Sequence, residues 1–305
     1  MEQNTNRMIK NWLDAFRLRT LPLSLSGILM GSFIAFDNGF VDFRIFGLAL
    51  ITTILFQILS NLANDLGDSL KGTDNSNRVG PLRTVQSGAI SKSQMKTAVI
   101  LTALFSFVSA GSLVFIAHEN MSSELIIAYC ILTVFCISAA ILYTISNYAY
   151  GYKGFGDLMV FIFFGVVAVM GSNTLYSKSI DYTILLPSCT IGLLSMAVLN
   201  LNNMRDHEND ALSNKITVVV QMGFNRAKTY HFLLLILSFI TLCLFILVQK
   251  KFGLFLATLP YLGLFPHWLK VKNCNDPLEL DPELKKVALS TFFMSVLVGI
   301  GLFIF

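Results

Sequence analysis

Two short stretches of this chain concentrate oxygen ligands without imidazole or thiolate chemistry around them. The first reads Asn61-Leu-Ala-Asn64-Asp65-Leu-Gly-Asp68 and the second Asn202-Asn203-Met-Arg205-Asp206-His-Glu-Asn-Asp210. Wound into helices, Asn61, Asp65 and Asp68 fall at i, i+4 and i+7, and Asn202, Asp206 and Asp210 at i, i+4 and i+8. Each set therefore shares one helix face. Both place an Asn four residues before an Asp, and the two pairs stand 141 residues apart, a weak internal repeat. Carboxylate and amide oxygens suit a hard cation, above all Mg²⁺, which takes one or two carboxylates and completes its shell with substrate phosphate. Two facing clusters could hold two such ions across a diphosphate and neutralise the charge that develops as it departs.

Cations of the type that grip phosphate oxygens stand around these acids: Lys71, Arg78, Arg83, Arg205 and Lys215. Arginine offers a bidentate fork and lysine a point charge. Any one of them could simply solvate a helix end or serve as a topology signal. The acids have no such excuse, because Asp and Glu contribute little to membrane orientation.

The elements that must position these residues are membrane spans. Of 305 residues, 54% are apolar and 13% charged, against about 25% charged in a typical soluble domain. That composition cannot cover a water-soluble globule. The apolar residues come in nine blocks, near 21–36, 45–63, 95–117, 125–146, 157–176, 183–202, 228–248, 252–270 and 286–305. Each approaches the roughly 20 residues that cross a hydrocarbon core. The alternation that a transmembrane barrel would need is absent. The expected fold is all-α: one polytopic domain over 1–305, a nine-helix bundle with its site at the cytoplasmic face.

Lysine and arginine counting sets the orientation. With the N-terminus inside, the cytoplasmic segments hold 18 of the 22 and the outer loops only Arg44, Lys178, Lys250 and Lys251, which satisfies the positive-inside rule. The N-terminal arm, 1–20, is amphipathic and reads as retained, not as a cleaved signal. The outer connections are short. Two inner ones, 64–94 and 203–227, are long and mix Gly, Asn, Asp, Arg and Lys, so they are expected to be site loops. The five cysteines show no C-x-x-C spacing and read as packing residues, and His118, His231 and His267 show no metal spacing. His207 and Glu208 point off the carboxylate face of the second cluster and read as solvated.

At these residues the chain resembles the UbiA superfamily of intramembrane aromatic prenyltransferases. The likeness spans nearly the whole sequence, through RLRTLPLSLSGILMGS (17–32), SNLANDLGDSLKGTDNSNRVGPLRTVQSGAI (60–90), GFGDLMVFIFFGVVAVMGS (154–172) and LNLNNMRDHENDALSNKITVVVQMG (199–223). Many relatives that act on 4-hydroxybenzoate read N-D-x-x-D-x-x-x-D. This chain has Gly72 where the third acid would fall and Asp74 two residues later, which is similar to the branch acting on 1,4-dihydroxy-2-naphthoate in menaquinone synthesis. That departure leaves Asp74 as a second-tier site residue and not a direct ligand.

The resemblance implies a transfer at the cytoplasmic face of the cell inner membrane. A polyprenyl diphosphate is held through two Mg²⁺ ions by Asn64, Asp65 and Asp68 on one side and by Asp206 and Asp210 on the other, with Asn202 and Asn203 assisting. Lys71, Arg78, Arg83, Arg205 and Lys215 bind diphosphate oxygens. The acceptor ring attacks the allylic cation, and CO₂ and diphosphate leave, giving demethylmenaquinone. The lipid bilayer is a partner and nucleic acid is not. Aromatic faces stabilise cations, and Tyr143 and Tyr148, near a cytoplasmic end, are the aromatic candidates, with plain packing as the other reading. Asp157 follows Gly-Phe-Gly at the start of the fifth span. It either lies in the N-cap region, stabilised by the helix dipole, or orients the acceptor. Arg19, with Arg17, either attracts the acceptor carboxylate or anchors to anionic lipid. Two competing functions are a prenyltransferase for another aromatic acceptor and an ion-coupled transporter. The transporter is the weaker of the two, because these acids cluster at one interface and not at the midplane.

Overall fold

A computed structural model describes residues 2–75, 80–146, 149–177 and 180–304. Arg78 and Tyr148 lie outside the described residues. Among those described there is no strand. The helices run in the order α1 (Glu2–Phe16), α2 (Leu21–Asp37), α3 (Phe43–Lys71), α4 (Lys92–Ala117) and α5 (Ser123–Leu142), followed by α6 (Gly156–Val160). A π-helical segment, Phe161–Met170, continues α6 directly into α7 (Gly171–Thr174). Then come α8 (Leu185–Leu212), the short α9 (Val218–Met222), α10 (Phe224–Gln249), α11 (Pro260–Asn273) and α12 (Asp281–Ile304).

Nine helical stretches among the described residues are long and apolar enough to cross a membrane, and they coincide with the nine blocks expected. Local chemistry starts several of them. Asp42 caps α3 by accepting from the backbone N–H of Arg44 and Ile45. Ser91 and Gln94 close a capping box on α4, and Ser122 and Thr217 cap α5 and α9. Each satisfies N–H groups that the first helical turn leaves without partners. The eighth span is interrupted: Phe252–Thr258 is a 3₁₀ segment, and α11 then begins at Pro260 and contains Pro266.

In water the driving force would be burial. Inside a bilayer, packing contacts and polar links hold helices together. The largest core gathers α8, α10, α11 and α12 around Leu194, Leu201, Met204, Leu242, Phe245, Val287 and Met294. A second joins α1, α3 and α4 through Ala15, Leu59, Leu62, Leu66 and Met95, with Trp12 and Phe16 of α1 packed against it. The outer faces of α4 and α5 present Phe105, Phe107, Ile127, Ile131 and Phe135 outward, as lipid-facing helices should.

One polar chain crosses the bundle core. His231 Nε2 meets His267 Nε2 at 2.8 Å, and His267 Nδ1 meets Glu283 Oε2 at 2.7 Å. Lys270 and Lys286 close on the other Glu283 oxygen at 3.2 and 2.7 Å. These contacts tie α10, α11 and α12 together, a role that the sequence spacing of the histidines does not suggest.

Candidate active site

The helices do not stop where the apolar blocks stop. The expected loop starts at 64 and 203 lie inside α3 and α8, which run on to Lys71 and Leu212. Both clusters are therefore held on rigid helix, in the last turns, and all four acids are at most 5% exposed. α3 ends because Gly72 takes a left-handed conformation at φ 75°, a region that favours glycine. Gly67, between the two acids of the first cluster, has a different reason to be glycine. A Cβ there would stand 2.4 Å from Thr144 Oγ1 and 2.8 Å from its backbone carbon, so the close approach of α3 to the end of α5 requires its absence.

Hydrogen bonds then aim the first cluster. Thr84 Oγ1 donates to Asp65 Oδ2 at 2.6 Å, and Tyr152 Oη donates to Asp68 Oδ1 at 2.7 Å. Lys71 Nζ stands 4.2 Å above the Tyr152 ring. In the second cluster, Arg205 grips Asp206 with Nε and Nη2 at 2.9 and 2.7 Å, and Lys215 Nζ pairs with Asp210 at 3.4 Å. Burial works against the charged form of Lys215. Attraction to Asp68 and Asp210 outweighs it and holds the ammonium above the ordinary lysine range.

The two clusters meet across the intervening loops. Asn209 Nδ2 donates to Thr73 O at 2.9 Å, and Thr73 and Tyr152 share a hydroxyl bond of 2.6 Å. Ile216 N donates to Tyr152 O at 3.0 Å, and Lys215 Nζ lies 5.7 Å from the Tyr152 ring. Tyr152 thus touches residues from both halves of the site. Burial, and after it the nearby Asp68, push its hydroxyl well above the usual tyrosine range, so it stays a donor through neutral pH.

The donor set fits a hard cation on one direct observation. Asp65 Oδ1, Asp210 Oδ2 and Asn209 Oδ1 are buried oxygens with no hydrogen-bond partner, an arrangement that costs free energy unless something else satisfies them. Among the described residues no three acidic, histidine or cysteine side chains converge on one point. An ion held by one or two of these carboxylates would draw the rest of its shell from water and phosphate.

The other expected site residues distribute as follows. Asn64 lines the cavity described below and takes a long 3.4 Å contact from Thr144 Oγ1. Asp74 and Arg83 pair within one loop at 3.8 Å. Asn202 accepts from Arg205 Nη2 at 2.9 Å, and Asn203 is buried beside it. Tyr143 caps α5 and lines the cavity, with burial pushing its hydroxyl up to about 12 while Lys215 works the other way. Asp157 lies in the first turn of α6, whose N-cap is Phe155, and accepts from Tyr230 Oη at 3.0 Å. Arg19 is exposed on the 3₁₀ turn before α2 and makes no hydrogen bond or ion pair with the described residues. His207 stacks on Phe224, off the carboxylate face, and Glu208 is exposed.

Tyr152, Thr84, Thr73 and Asn209 escape the sequence reading. The run Tyr-Gly-Tyr-Lys at 150–153 sits in a short polar connection on the lysine-rich side, and that was the available signal for Tyr152. Its contribution can be measured. Tyr152→Phe removes a hydrogen bond to a carboxylate, typically about 1.5–3 kcal/mol. The expected result is a roughly tenfold or greater fall in kcat/KM for the prenyl donor in a protein that still folds, with a melting temperature lowered by a few degrees at most, and a wild-type rate would count against the role.

Beside the first cluster lies a cavity of about 350 Å³. Its polar end is formed by Asn61, Asn64 and Tyr143, and it extends past Phe163 and Phe164 to Leu113, Val114 and Leu175. Along one wall α3 presents a polar stripe, Thr53, Gln57, Ser60, Asn61 and Asn64, spaced as one helix face. Gln57 Oε1 accepts from Ser24 at 2.5 Å, Gln57 Nε2 donates to Asn61 Oδ1 at 3.3 Å, and Asn61 Nδ2 donates to Phe16 O at 2.9 Å.

The class these features define is a membrane bundle with buried acidic clusters near its helix ends and an apolar cavity reached past Asn61 and Asn64. Comparison with known proteins makes this class specific. Residues 24–299 match the UbiA prenyltransferase family, and the chain belongs to it. It is 39% identical to 1,4-dihydroxy-2-naphthoate octaprenyltransferase of Haemophilus influenzae, over 98% of this chain and 97% of that protein. It is likewise 39% identical to the protein of the same name in Escherichia coli, over 99% and 98%. The fold is similar to that of a UbiA homolog from Aeropyrum pernix K1, at a TM-score of 0.67 and 13% identity, covering 93% of this chain and 97% of that one.

Proposed function

We propose that this protein transfers a polyprenyl group from polyprenyl diphosphate to 1,4-dihydroxy-2-naphthoate at the cytoplasmic face of the cell inner membrane, releasing CO₂ and diphosphate. The observation that carries the reading is that Asp65, with a buried carboxylate oxygen that has no partner, directly follows Asn64, which with Asn61 lines the apolar cavity. The identity to naphthoate octaprenyltransferases over nearly the full length supports the choice of acceptor.

The prenyl tail lies in the cavity, where no water competes, and its diphosphate rests between the ends of α3 and α8. Asn64, Asp65 and Asp68 with Asp206 and Asp210 would hold Mg²⁺, which would supply charge neutralisation for the leaving group. Lys71, Lys215 and Arg83 add positive charge at the same mouth. Thr84 and Tyr152 fix the carboxylates of Asp65 and Asp68, so little reorganisation is needed as the C–O bond breaks. The naphthoate ring occupies the cavity mouth against the polar stripe of α3 and Tyr143, whose aromatic face is suited to an allylic cation.

The electron balance defines the product. The ring carbon that bears the carboxylate bonds to the prenyl cation, and the carboxylate leaves as CO₂, returning its bonding pair to the ring. No proton need be removed, and no oxidant enters. The immediate product is the quinol form of demethylmenaquinone. Purified protein in nanodiscs should release diphosphate only when both substrates and Mg²⁺ are present. Uptake of an ion or solute into proteoliposomes without diphosphate release would favour a carrier instead.

The proposed orientation has its own test. Single cysteines at Ser87 or Asn225, both exposed, on a cysteine-free background should resist a membrane-impermeant maleimide in spheroplasts, and one at exposed Glu119 should react. Labelling at Ser87 in intact spheroplasts would invert the topology.

A further inference from the structure

The second cluster is electrically balanced from within. Asp206 takes a two-pronged grip from Arg205, and Asp210 is paired with Lys215, so the four formal charges cancel. A neutral set attracts a dication weakly, however well its oxygens are placed. One further side chain breaks the balance. Asp281, the first residue of α12, lies 76 positions along the chain, and its Oδ1 accepts from Arg205 Nη1 at 2.5 Å. Arg205 is 3% exposed and Asp281 39%. The guanidinium is thereby fixed on three sides, by Asp206, by Asn202 on its own helix and by Asp281 from the last span.

We infer that Asp281 is a positioning residue for the second cluster: it holds Arg205 in place across Asp206 and offsets the arginine charge, so that Asp206 and Asp210 together still draw a divalent cation. The inference rests on the reading in which these clusters bind Mg²⁺ with the diphosphate, and it extends the site to a helix outside both Asp-rich stretches. The local geometry supports a charge role over a packing one. Asp281 is partly open to solvent, its partner is a buried guanidinium, and its side chain takes Nη1, the guanidinium nitrogen that Asp206 and Asn202 leave open. Glu283, two residues on, is committed to His267, Lys270 and Lys286, so it cannot take over the task.

The test compares Asp281→Asn, Asp281→Glu and Asp65→Asn with wild type, all as full-length protein in nanodiscs. Mn²⁺ affinity is read by electron paramagnetic resonance without substrate, and the Mg²⁺ concentration for half-maximal turnover is read separately from kcat. The expected result for Asp281→Asn is Mn²⁺ binding weakened by about five- to tenfold, the size set by losing one nearby charge at a partly screened site. The Mg²⁺ requirement should rise in step, kcat at saturating Mg²⁺ should fall far less, and Asp281→Glu should restore both. Unchanged Mn²⁺ affinity in Asp281→Asn, or a fall in kcat with unaltered metal dependence, overturns the inference. If Asp65→Asn also binds Mn²⁺ as wild type does, the metal reading itself is what fails, and this inference falls with it.

Discussion

Replacing Asp65 with Asn is expected to lower kcat by at least about 10²-fold, the scale on which single preorganised electrostatic groups act in transition states, and to leave the protein folded. The structure explains why this substitution is clean. Asp65 Oδ2 accepts from Thr84 at 2.6 Å, and an amide oxygen can keep that bond. Oδ1 has no partner within the protein, so the change removes negative charge and one ligand atom without stranding a neighbour. Asp206→Asn should also abolish turnover, but it is a harsher experiment. It leaves Arg205, 3% exposed, facing a neutral amide, and breaking a buried pair from one side costs about 3–5 kcal/mol. Chelation should silence the wild type as thoroughly as Asp65→Asn does, with recovery on adding Mg²⁺. Diphosphate release and thermal unfolding, measured on the same preparation, decide the matter. A variant that keeps more than about a tenth of the wild-type rate would refute a mechanism that runs through both clusters.

That Asp65 and Asp206 stand out at all follows from what a membrane sequence displays openly. In spans nearly free of charge, an acid has no surface to decorate, so Asn61, Asn64, Asp65 and Asp68 are conspicuous against Ile, Leu and Phe. The nine spans are legible for the same reason, since each must satisfy its own backbone and cross a fixed thickness. What the sequence conceals is contact between distant segments. His231 and His267 are 36 positions apart and Glu283 a further 16, so no local spacing suggests that they form one buried chain. Asp281 looks like an ordinary helix-start acid until α12 is laid beside α8. Tyr152 reads like any interfacial tyrosine, because its hydroxyl finds Asp68 from 84 positions along the chain. Helix ends are misread for a related reason. Hydropathy falls at 63 and 202, where the bilayer side chains end, but the helices stop only at Gly72 and Ser213, where backbone conformation and not polarity changes.

The acceptor leaves the most decisive signature. A 1,4-dihydroxy-2-naphthoate molecule labelled in its carboxyl carbon should lose that label as CO₂, one for one with diphosphate released, and the prenylated lipid should carry none. The stoichiometry follows from the bonds. Attack by the carbon that bears the carboxylate creates a tetrahedral centre, and aromaticity returns only when one of its two carbon substituents leaves. Loss of the prenyl cation is simple reversal, so forward turnover and decarboxylation are the same event. With 4-hydroxybenzoate the attacking carbon lies beside the hydroxyl and carries hydrogen, so rearomatisation needs a base to take a proton and the carboxylate is kept. Among the described residues that line the cavity there is no Asp, Glu or His, and in this reading the carboxylates of the two clusters are committed to Mg²⁺. Asn61, Asn64 and Gln57 there are amides, and the Tyr143 hydroxyl, with burial pushing it up to about 12, stays protonated near neutral pH. A site of that composition favours an acceptor whose leaving group departs unaided. Turnover of 4-hydroxybenzoate should accordingly be slower by at least about 10²-fold in kcat/KM, in the range where general-base assistance typically acts. Label retained in the lipid, or a preference for the benzoate, would reassign the acceptor while leaving prenyl transfer intact.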